Sequence, residues 1–585
     1  MIKTLLSQVK EFKKASFLTP VFMILEVVVE TMIPVAMALM IDNGVEKGNM
    51  SYIYRVGAVM AVLAIAGLIA GFLGGKYGAL ASSGFARNLR KAMYTNIQTF
   101  SFSNIDKFST AGLITRLTTD VTNLQNAYQM VLRMCTRAPA SLICAMTMAF
   151  LVNARLASVY LIAVIFLGFA LVMILRRATR YFQEVFKKYD DLNASVQENI
   201  SGIRVVKAYV REDYETSKFQ KACNKVYEMF VRAEKLVVMN MPLMQFTVYA
   251  CILCISWLGA KMIVGSSLTT GELMSLLTYC MNILMSLMML SMVFVMVTMS
   301  MASAERVTEV INEKADLSNP AQPVVEVPDG RIDFDHVSFR YKKEGKENVL
   351  KDINLSIHAG ETIGIIGGTG SAKSSLVNLI SRLYDVSEGS VKVGGIDVRN
   401  YDMEVLRNQV AVVLQKNVLF SGTILENLRW GNKEATEEEC ERACQLACAD
   451  EFIQRMPDGY HTYIEQGGTN VSGGQKQRLC IARALLKKPK ILILDDSTSA
   501  VDTATDAKIR KAFAEEIPDT TKLIIAQRIS SIQSADRIIV MEDGRVNGFG
   551  THEELLENNP IYQEVYHSQT KAGGDFDENR GGEQA

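Results

Sequence analysis

The feature that most constrains this fold is a set of six apolar stretches, all of which lie before residue 300. A helix needs roughly 20 residues to cross a bilayer. A short turn at residues 153–155 predicts that the third and fourth stretches form a hairpin, and residues 265–271 join the fifth to the sixth. The predicted spans cover residues 17–41, 52–73, 139–153 with its preceding turns, 157–175, 241–264 and 273–297.

Charge gives these spans an orientation. Two long polar regions, residues 76–137 and 176–240, are rich in Lys and Arg, whereas the loops on the opposite side have almost none. Positive loops stay in the cytoplasm. The sequence therefore predicts a multi-pass protein of the cytoplasmic membrane with both chain ends inside. Residues 1–14 carry four lysines among apolar residues and predict an interfacial helix, with a frayed terminus as the alternative.

Within the spans, a few side chains are candidates for a substrate cavity. Glu26 and Glu30 share one helix face, and carboxylates in lipid are costly enough to indicate a cavity or a partner. Their alternative role is to hydrate a wet vestibule. The last span is rich in methionine, which suits varied apolar cargo as well as it suits ordinary packing. Arg133 and Arg137 are expected to be interfacial anchors. The cavity candidates are Glu26, Glu30, Met285, Met289 and Met292.

After residue 301 the chain becomes polar and a second domain follows. The predicted boundaries are an interfacial helix at 1–14, a transmembrane domain at 15–305, a linker at 306–330, an α/β domain at 331–568 and a disordered tail at 569–585. The 62 basic residues equal the 62 acidic residues, which gives no indication of a nucleic-acid partner.

A phosphate-binding loop opens the second domain. Residues 363–366 read as a buried strand, a Gly-rich loop follows, and an apolar helix begins after it. Backbone N–H groups and a helix N-terminus bind phosphates, Lys373 neutralises them, and the Ser374 hydroxyl binds Mg²⁺. Ala372 stands where the motif has its last glycine, so its Cβ is expected to crowd the loop or strain the backbone. The ATP-binding candidates here are Gly367, Gly368, Thr369, Gly370, Ser371, Ala372, Lys373, Ser374 and Ser375.

Two later motifs carry a family resemblance. Residues 471–478 read VSGGQKQR, and residues 491–495 read as a buried strand that ends in Asp495. With the phosphate loop before them, these motifs resemble those of ATP-binding cassette (ABC) proteins. The whole chain resembles a half-transporter of the type IV exporter class. The resemblance implies a multidomain protein, in which an all-α, six-helix transmembrane domain with long cytoplasmic extensions is fused to an α/β P-loop nucleotide-binding domain.

The same resemblance implies roles for single residues. Tyr341 resembles the aromatic residue that stacks on adenine. Ser374, Gln415 and Asp495 resemble the residues around Mg²⁺. Asp502 resembles part of the loop that links two ATP sites, and residues 112–120 and 202–212 resemble the two coupling helices. In this family each ATP lies between the phosphate loop of one cassette and the signature of another, here Ser472, Gly473, Gly474 and Gln475.

Three positions depart from the family pattern, and all three belong to one composite site. Ala372 replaces a glycine, Asp496 replaces the glutamate that acts as general base, and Gln527 replaces the histidine that contacts the γ-phosphate. A carboxylate that is one methylene shorter is displaced by about an ångström, which can cost on the order of a hundredfold in rate. Glutamine can donate a hydrogen bond but does not take up a proton as imidazole does. The signature, which serves the other site, is intact.

This asymmetry predicts a heterodimer in which this chain supplies the degenerate site. The chain resembles the degenerate-site subunit of a heterodimeric bacterial multidrug-type exporter. ATP and Mg²⁺ are the expected cofactors, and the expected partners are a second half-transporter subunit, the lipid bilayer and a small amphipathic or apolar substrate. Cassette closure on ATP would switch the cavity from inward-facing to outward-facing. The alternatives are a homodimeric exporter or lipid flippase with two slow sites, or an ATP-gated regulator or channel.

Overall fold

Long helices make up the first half of the chain, and a mixed α/β arrangement follows. The computed structural model describes residues 1–341, 347–497 and 500–577. The chain divides into two units, of which the first contains Met1–Gln98 and Ser109–Glu313 and the second contains Thr99–Phe108 and Lys314–Ala585.

The first unit is helical, and six of its helical segments are long and apolar enough to cross a membrane. Five of the six predicted spans fall within one of these segments each, and the third, 139–153, exceeds its segment only by Asn153. At 1.5 Å per residue, helices of 43 to 48 residues are far longer than a hydrocarbon core of about 30 Å, so they extend well beyond it. The helices are α1 Ile2–Ser7, α2 Lys13–Met40, α3 Met50–Ile97, then, after α4 Phe102–Phe108 of the second unit, α5 Thr110–Thr115, α6 Val121–Val152, α7 Ala154–Ser201, α8 Ile203–Ala208, α9 Glu212–Val238, α10 Asn240–Val264 and α11 Thr270–Asn312.

The predicted turns between spans are confirmed by their caps. Asn153 accepts hydrogen bonds from the backbone N–H groups of Arg155 and Leu156, at 3.1 and 3.2 Å, and so starts α7 directly after α6. Thr269 and Glu272 form a reciprocal capping box at the start of α11. These polar side chains satisfy N–H groups that the first helical turn leaves without partners.

Some predicted boundaries shift in the structure. Helix α11 continues to Asn312, so residues 306–312 are helical rather than linker. The interfacial segment contains two short helical pieces, α1 and a 3₁₀ turn at Lys10–Phe12. Residues 112–120, predicted as the first coupling helix, lie in the first unit, whereas the neighbouring Thr99–Phe108 belongs to the second.

The second unit is built on two larger sheets. A four-stranded antiparallel sheet has the order β2-β1-β4-β5, and a six-stranded sheet has the order β12-β11-β3-β10-β9-β6 and is parallel except at β12. The short pair β7-β8 stands apart. The strands are β1 Ile332–Phe339, β2 Leu350–Ile357, β3 Thr362–Gly367, β4 Glu388–Val393, β5 Ile396–Asp397, β6 Val410–Val413, β7 Gly422–Thr423, β8 Tyr463–Ile464, β9 Ile491–Asp495, β10 Thr521–Ile525, β11 Arg537–Glu542 and β12 Arg545–Gly550.

The helices of the second unit pack around these sheets. Strands β9 and β10 are buried at every residue, as parallel central strands generally are. Helix α20 continues to Asp577, so the tail predicted as disordered from residue 569 is helical through residue 577, and residues 578–585 lie outside the described part. The helices are α12 Lys373–Ile380, α13 Met403–Gln409, α14 Ile424–Leu428, α15 Glu437–Leu446, α16 Asp450–Ile453, α17 Gly473–Leu485, α18 Thr503–Glu516, α19 His552–Asn558 and α20 Pro560–Asp577.

Candidate functional site

The candidate site lies at the carboxyl edge of the parallel sheet, where α/β folds commonly bind ligands. Strand β3 ends at Gly367, and the loop that follows it leads into α12. A Cβ on Gly367 would lie 2.2 Å from the carbonyl oxygen of Met541, so only glycine fits there. Gly370 has a φ of +86°, a backbone conformation that glycine adopts more readily than other residues. The predicted phosphate-binding loop therefore packs closely against the backbone of β11 at Gly367 and is left-handed at Gly370.

Ala372 caps α12 in a left-handed conformation, with φ 72° and ψ 23°. A non-glycine residue in this region costs roughly 1–2 kcal/mol because its Cβ approaches the following carbonyl oxygen. The departure from glycine therefore places local strain at the start of the helix that would receive the phosphates.

Lys373 folds back over the loop. Its ammonium donates to the carbonyl oxygens of Gly367 and Gly368, at 2.8 Å each. Burial lowers the pKa of Lys373, and the nearby carboxylates of Asp495 and Asp496 oppose that change. Beside it, the hydroxyls of Tyr341 and Ser375 lie 2.8 Å apart, so the candidate adenine-stacking residue is joined to α12.

Ser374 and Asp495, two of the residues expected around Mg²⁺, are hydrogen-bonded to each other. The Ser374 hydroxyl donates to Asp495 Oδ1 at 3.0 Å, and Asp495 is buried at the end of β9. Burial raises the pKa of Asp495, and the charge of Asp496 raises it further. A hydroxyl and a carboxylate are hard oxygen ligands that fit Mg²⁺. Within the described residues, no group of three or more His, Cys, Asp or Glu side chains is placed to hold a metal ion.

Two of the departures from the family pattern contact each other. The Gln527 amide donates to Asp496 Oδ2 at 2.9 Å, and the Gln415 amide reaches the same oxygen at 3.5 Å. Asp496 has a φ of +49°, a conformation that Asp tolerates better than most residues. Around the position of the general base, the site thus has a short carboxylate that is hydrogen-bonded to an amide.

The signature begins α17 as a surface helix N-terminus. Ser472 and Gln475 form a capping box, with bonds of 2.9 and 3.3 Å, and Ser472 is exposed. A Cβ on Gly474 would lie 2.7 Å from the carbonyl oxygen of Ala500, whereas one on Gly473 would make only ordinary contact at 3.6 Å. Asp502 caps α18 by accepting from the Thr505 N–H group, which lowers the pKa of its carboxyl. An exposed helix N-terminus can bind an anion supplied by another molecule.

In the first unit, the two candidate glutamates share one arginine. Arg137 of α6 donates to Glu26 at 2.5 Å and to Glu30 at 2.9 Å, both on α2. The Glu26 side chain is 17% exposed and packs largely between helices, whereas the Glu30 side chain is 52% exposed and lies at the surface of the unit. Arg137 is therefore a partner of both glutamates rather than only an interfacial anchor. Met285 and Met292 are exposed on α11, and Met289 is half-buried.

Sequence reasoning missed an aromatic contact beside the adenine candidate. Tyr384 lies 5.1 Å from Tyr341 between ring centroids and donates its hydroxyl to Asp106 of α4 at 2.9 Å. The ring of Phe102, also in α4, lies 6.1 Å from the ring of Tyr384 between centroids. No spacing rule indicates such a contact, because the three segments are distant in sequence.

Two family models match this chain. The model of the ABC transporter transmembrane region matches residues 16–307, and the ABC transporter model matches residues 350–499. Together they cover most of the helical unit and the part of the site from Gly367 to Asp496, whereas Tyr341, Asp502 and Gln527 lie outside both matches.

Several full-length proteins are similar to this chain. The uncharacterized ABC transporter ATP-binding protein YfiB of Bacillus subtilis is 38% identical over 96% of this chain and 98% of its own length. An uncharacterized ABC transporter ATP-binding protein of Mycobacterium tuberculosis is 36% identical over 97% of this chain and 98% of its own length. An ATP-dependent lipid A-core flippase of Desulfotalea psychrophila is 34% identical over 83% of this chain and 84% of its own length.

Proposed function

This chain belongs to the ABC transporter family, and we propose that it is the degenerate-site half of a heterodimeric exporter. As a member of this family, the chain is an exporter-type transporter whose ATPase domain is coupled to transport. It is a multi-pass membrane protein with its nucleotide-binding domain on the cytoplasmic side. The finer proposal is that the pair exports small amphipathic or apolar molecules across the cytoplasmic membrane.

The observation that carries the proposal is the contact between Gln527 and Asp496. Asp496 is one methylene shorter than a glutamate, so its carboxylate would lie short of the water that attacks the γ-phosphate. The Gln527 amide also occupies one of its oxygens at 2.9 Å. A base displaced by about an ångström loses on the order of a hundredfold in rate. Slow hydrolysis at this site follows from these two substitutions.

Nucleotide binding needs none of the substituted side chains. Lys373 and the loop would bind the phosphates and Tyr341 would stack on adenine, while Ser374, Asp495 and Gln415 would hold Mg²⁺, which neutralises phosphate charge. The intact signature at Ser472–Gln475 would complete a competent site on the second subunit. One slow site and one intact signature in the same chain favour a heterodimer over a homodimer, in which every site would combine both.

The membrane-side candidates support an amphipathic cargo. Glu30 offers a half-exposed carboxylate next to Arg137, and the exposed methionines of α11 adapt to irregular apolar shapes. A cavity that combined such a carboxylate with these methionines would suit molecules that carry an apolar body and a polar group.

The proposal is tested by purifying the full chain alone and together with any subunit that co-purifies. We expect the chain alone to bind ATP and to hydrolyse it about a hundredfold more slowly than the pair. Asp496→Glu combined with Gln527→His should raise hydrolysis by this chain's site, with Asp496→Asn as the matched control. A homodimer of this chain that hydrolyses ATP at rates typical of the family would overturn the proposal.

A second candidate is a homodimeric lipid flippase, which the similarity to the lipid A-core flippase favours. Proteoliposomes distinguish the two candidates. The flippase candidate predicts that the chain alone, reconstituted with Mg-ATP, moves a labelled phospholipid from the leaflet on the side of its nucleotide-binding domain to the opposite leaflet. Efflux of an amphipathic dye that requires the second subunit would support the heterodimer instead.

A further inference from the structure

Helix α20, at the carboxyl end of the described chain, carries a residue that holds the segment around Gln527. The side-chain amide of Gln569 donates to the carbonyl oxygen of Gln527 at 2.8 Å and accepts from the N–H group of Ile529 at 2.9 Å. We propose that Gln569 is a positioning residue for this switch segment, which we define as residues 526–531. The inference rests on the proposed role of Gln527 in the ATP site.

The body of α20 is anchored firmly enough to aim this side chain. Tyr562 is fully buried, and its hydroxyl lies 2.7 Å from Nδ1 of His552 on α19. Val565 and Tyr566, one turn further along, pack against the main core of the unit. Gln569 follows on the next turn, so its approach to the switch segment is set by packed neighbours rather than by its own exposed side chain.

Hydrogen bonds from other parts of the unit hold the switch segment along its length, beginning with the bond from the Ala526 N–H group to the carbonyl oxygen of Ile365 at 3.2 Å. At its far end Ser531 donates to the buried carboxylate of Asp506 at 2.9 Å. At its near end Gln569 brackets the backbone on both sides of Arg528. These bonds hold the backbone between β10 and Ser531, and they therefore set the orientation of the Gln527 side chain. That side chain then reaches Asp496 at 2.9 Å.

Gln569 would therefore act on hydrolysis through Gln527, without touching nucleotide itself. Without the Gln569 amide, water can bond to the carbonyl oxygen of the exposed Gln527, whereas the N–H group of the buried Ile529 loses its partner. The change therefore loosens the segment locally. The expected effect is on the orientation of residue 527 and on turnover, and not on ATP affinity.

The first test measures the segment directly. Gln569→Leu removes both hydrogen bonds and keeps a side chain of similar volume. Gln563→Leu is the matched control, because Gln563 lies on the same helix and also donates to two backbone carbonyls, those of Leu556 and Glu557. In hydrogen–deuterium exchange of the purified full chain, we expect peptides that contain Ile529 to exchange about fivefold faster in Gln569→Leu than in the control. Equal exchange in the two variants would overturn the proposal.

The second test measures catalysis. In the Asp496→Glu, Gln527→His background, we pair the chain with the co-purifying subunit inactivated at its own ATP site, so that turnover reports this chain's site alone. We then expect Gln569→Leu to lower kcat at least threefold at unchanged KM for ATP. The thermal unfolding temperature should match that of Gln563→Leu. A raised KM at constant kcat, or the same kcat in both variants, would count against the positioning role. If the background itself does not hydrolyse ATP, the proposed function fails, and the exchange experiment still decides this inference.

Discussion

At the scale of single residues, the candidate ATP site combines left-handed backbone with substituted side chains. Ala372 and Asp496 both have positive φ, at 72° and 49°. Such conformations cost free energy and occur most often at functional sites, where the surrounding structure holds them. Aspartate bears this conformation better than most residues, so Asp496 is locally compatible with its turn although it is short for a general base. The substitution is thus a change of chemistry within a preserved backbone.

With Asp495 as the proposed Mg²⁺ ligand, we expect Mg-ATP binding to depend on pH. Burial and the charge of Asp496 raise the pKa of Asp495, and a protonated Asp495 cannot ligate Mg²⁺. Affinity for Mg-ATP is therefore expected to fall as pH drops through that raised pKa. Asp496→Asn removes the neighbouring charge, which lowers the pKa of Asp495 and should extend Mg-ATP binding to lower pH.

A fluorescent ATP analogue titrated with and without Mg²⁺ at several pH values would measure this shift. Asp335→Asn is the control, because Asp335 pairs with Lys392 on the antiparallel sheet, outside the candidate site. If both variants lose Mg²⁺-dependent affinity at the same pH, the charge of Asp496 does not act on Asp495.

At the scale of elements, the motifs could be predicted from the sequence but several of their contacts could not. The six spans, the phosphate loop and the signature have local patterns of hydropathy and spacing, and the structure has the corresponding elements at those positions. The assignment of Thr99–Phe108 to the second unit has no such pattern, because it depends on contacts such as Asp106 with Tyr384. The link from Arg137 to two glutamates also escaped prediction, since it joins α2 to α6 across 107 and 111 residues of sequence.

The stability of helix α4 against local opening should depend on the hydroxyl of Tyr384. Tyr384→Phe keeps the ring against Phe102 and Tyr341 but removes the bond to Asp106, which is worth about 1 kcal/mol. We expect trypsin to cleave after the exposed Lys107 about fivefold faster in this variant, because cleavage follows the population of the locally open state.

Tyr401→Phe is the control for that experiment, since its hydroxyl bonds to the carbonyl oxygen of Val393 at 2.7 Å and not to α4. Cleavage that is equally fast in both variants would mean that the Tyr384 hydroxyl does not hold the helix.

The Arg137 link should stabilise the packing of α2 against α6. Arg137→Met leaves Glu26, which is mostly buried, without its cation, and such a loss costs about 3 kcal/mol. We expect the unfolding temperature of the purified full chain to fall by about 5 °C or more. Adding Glu26→Gln should recover at least half of the fall, and Arg155→Met, at an exposed position, should have little effect. A double variant no more stable than Arg137→Met would show that charge pairing is not the cause.

At the scale of the whole molecule, the proposed heterodimer makes one chain contribute differently to two ATP sites. In such a pair, the phosphate loop, Asp496 and Gln527 of this chain serve the slow site, and its signature serves the site that sustains turnover. Damage to the signature should therefore silence the transporter, whereas damage to Asp496 should change little. A homodimer predicts no such difference, because each of its sites would need both parts.

Gly473→Asp and Asp496→Asn test this difference in steady-state ATP hydrolysis by the co-purified pair. The structure has room for a side chain at residue 473, where a Cβ meets only the Cβ of Ala500 at 3.6 Å, so Gly473→Asp should fold normally while its carboxylate repels the phosphates of the second subunit's ATP. We expect it to reduce turnover by about a hundredfold, as loss of an oriented contact to the transition state can, and we expect Asp496→Asn to reduce it by less than about threefold. Matched unfolding temperatures would show that both variants are intact. Comparable losses of turnover would then favour a symmetric dimer, because only in that arrangement does every hydrolysing site depend on Asp496 and Gly473 together.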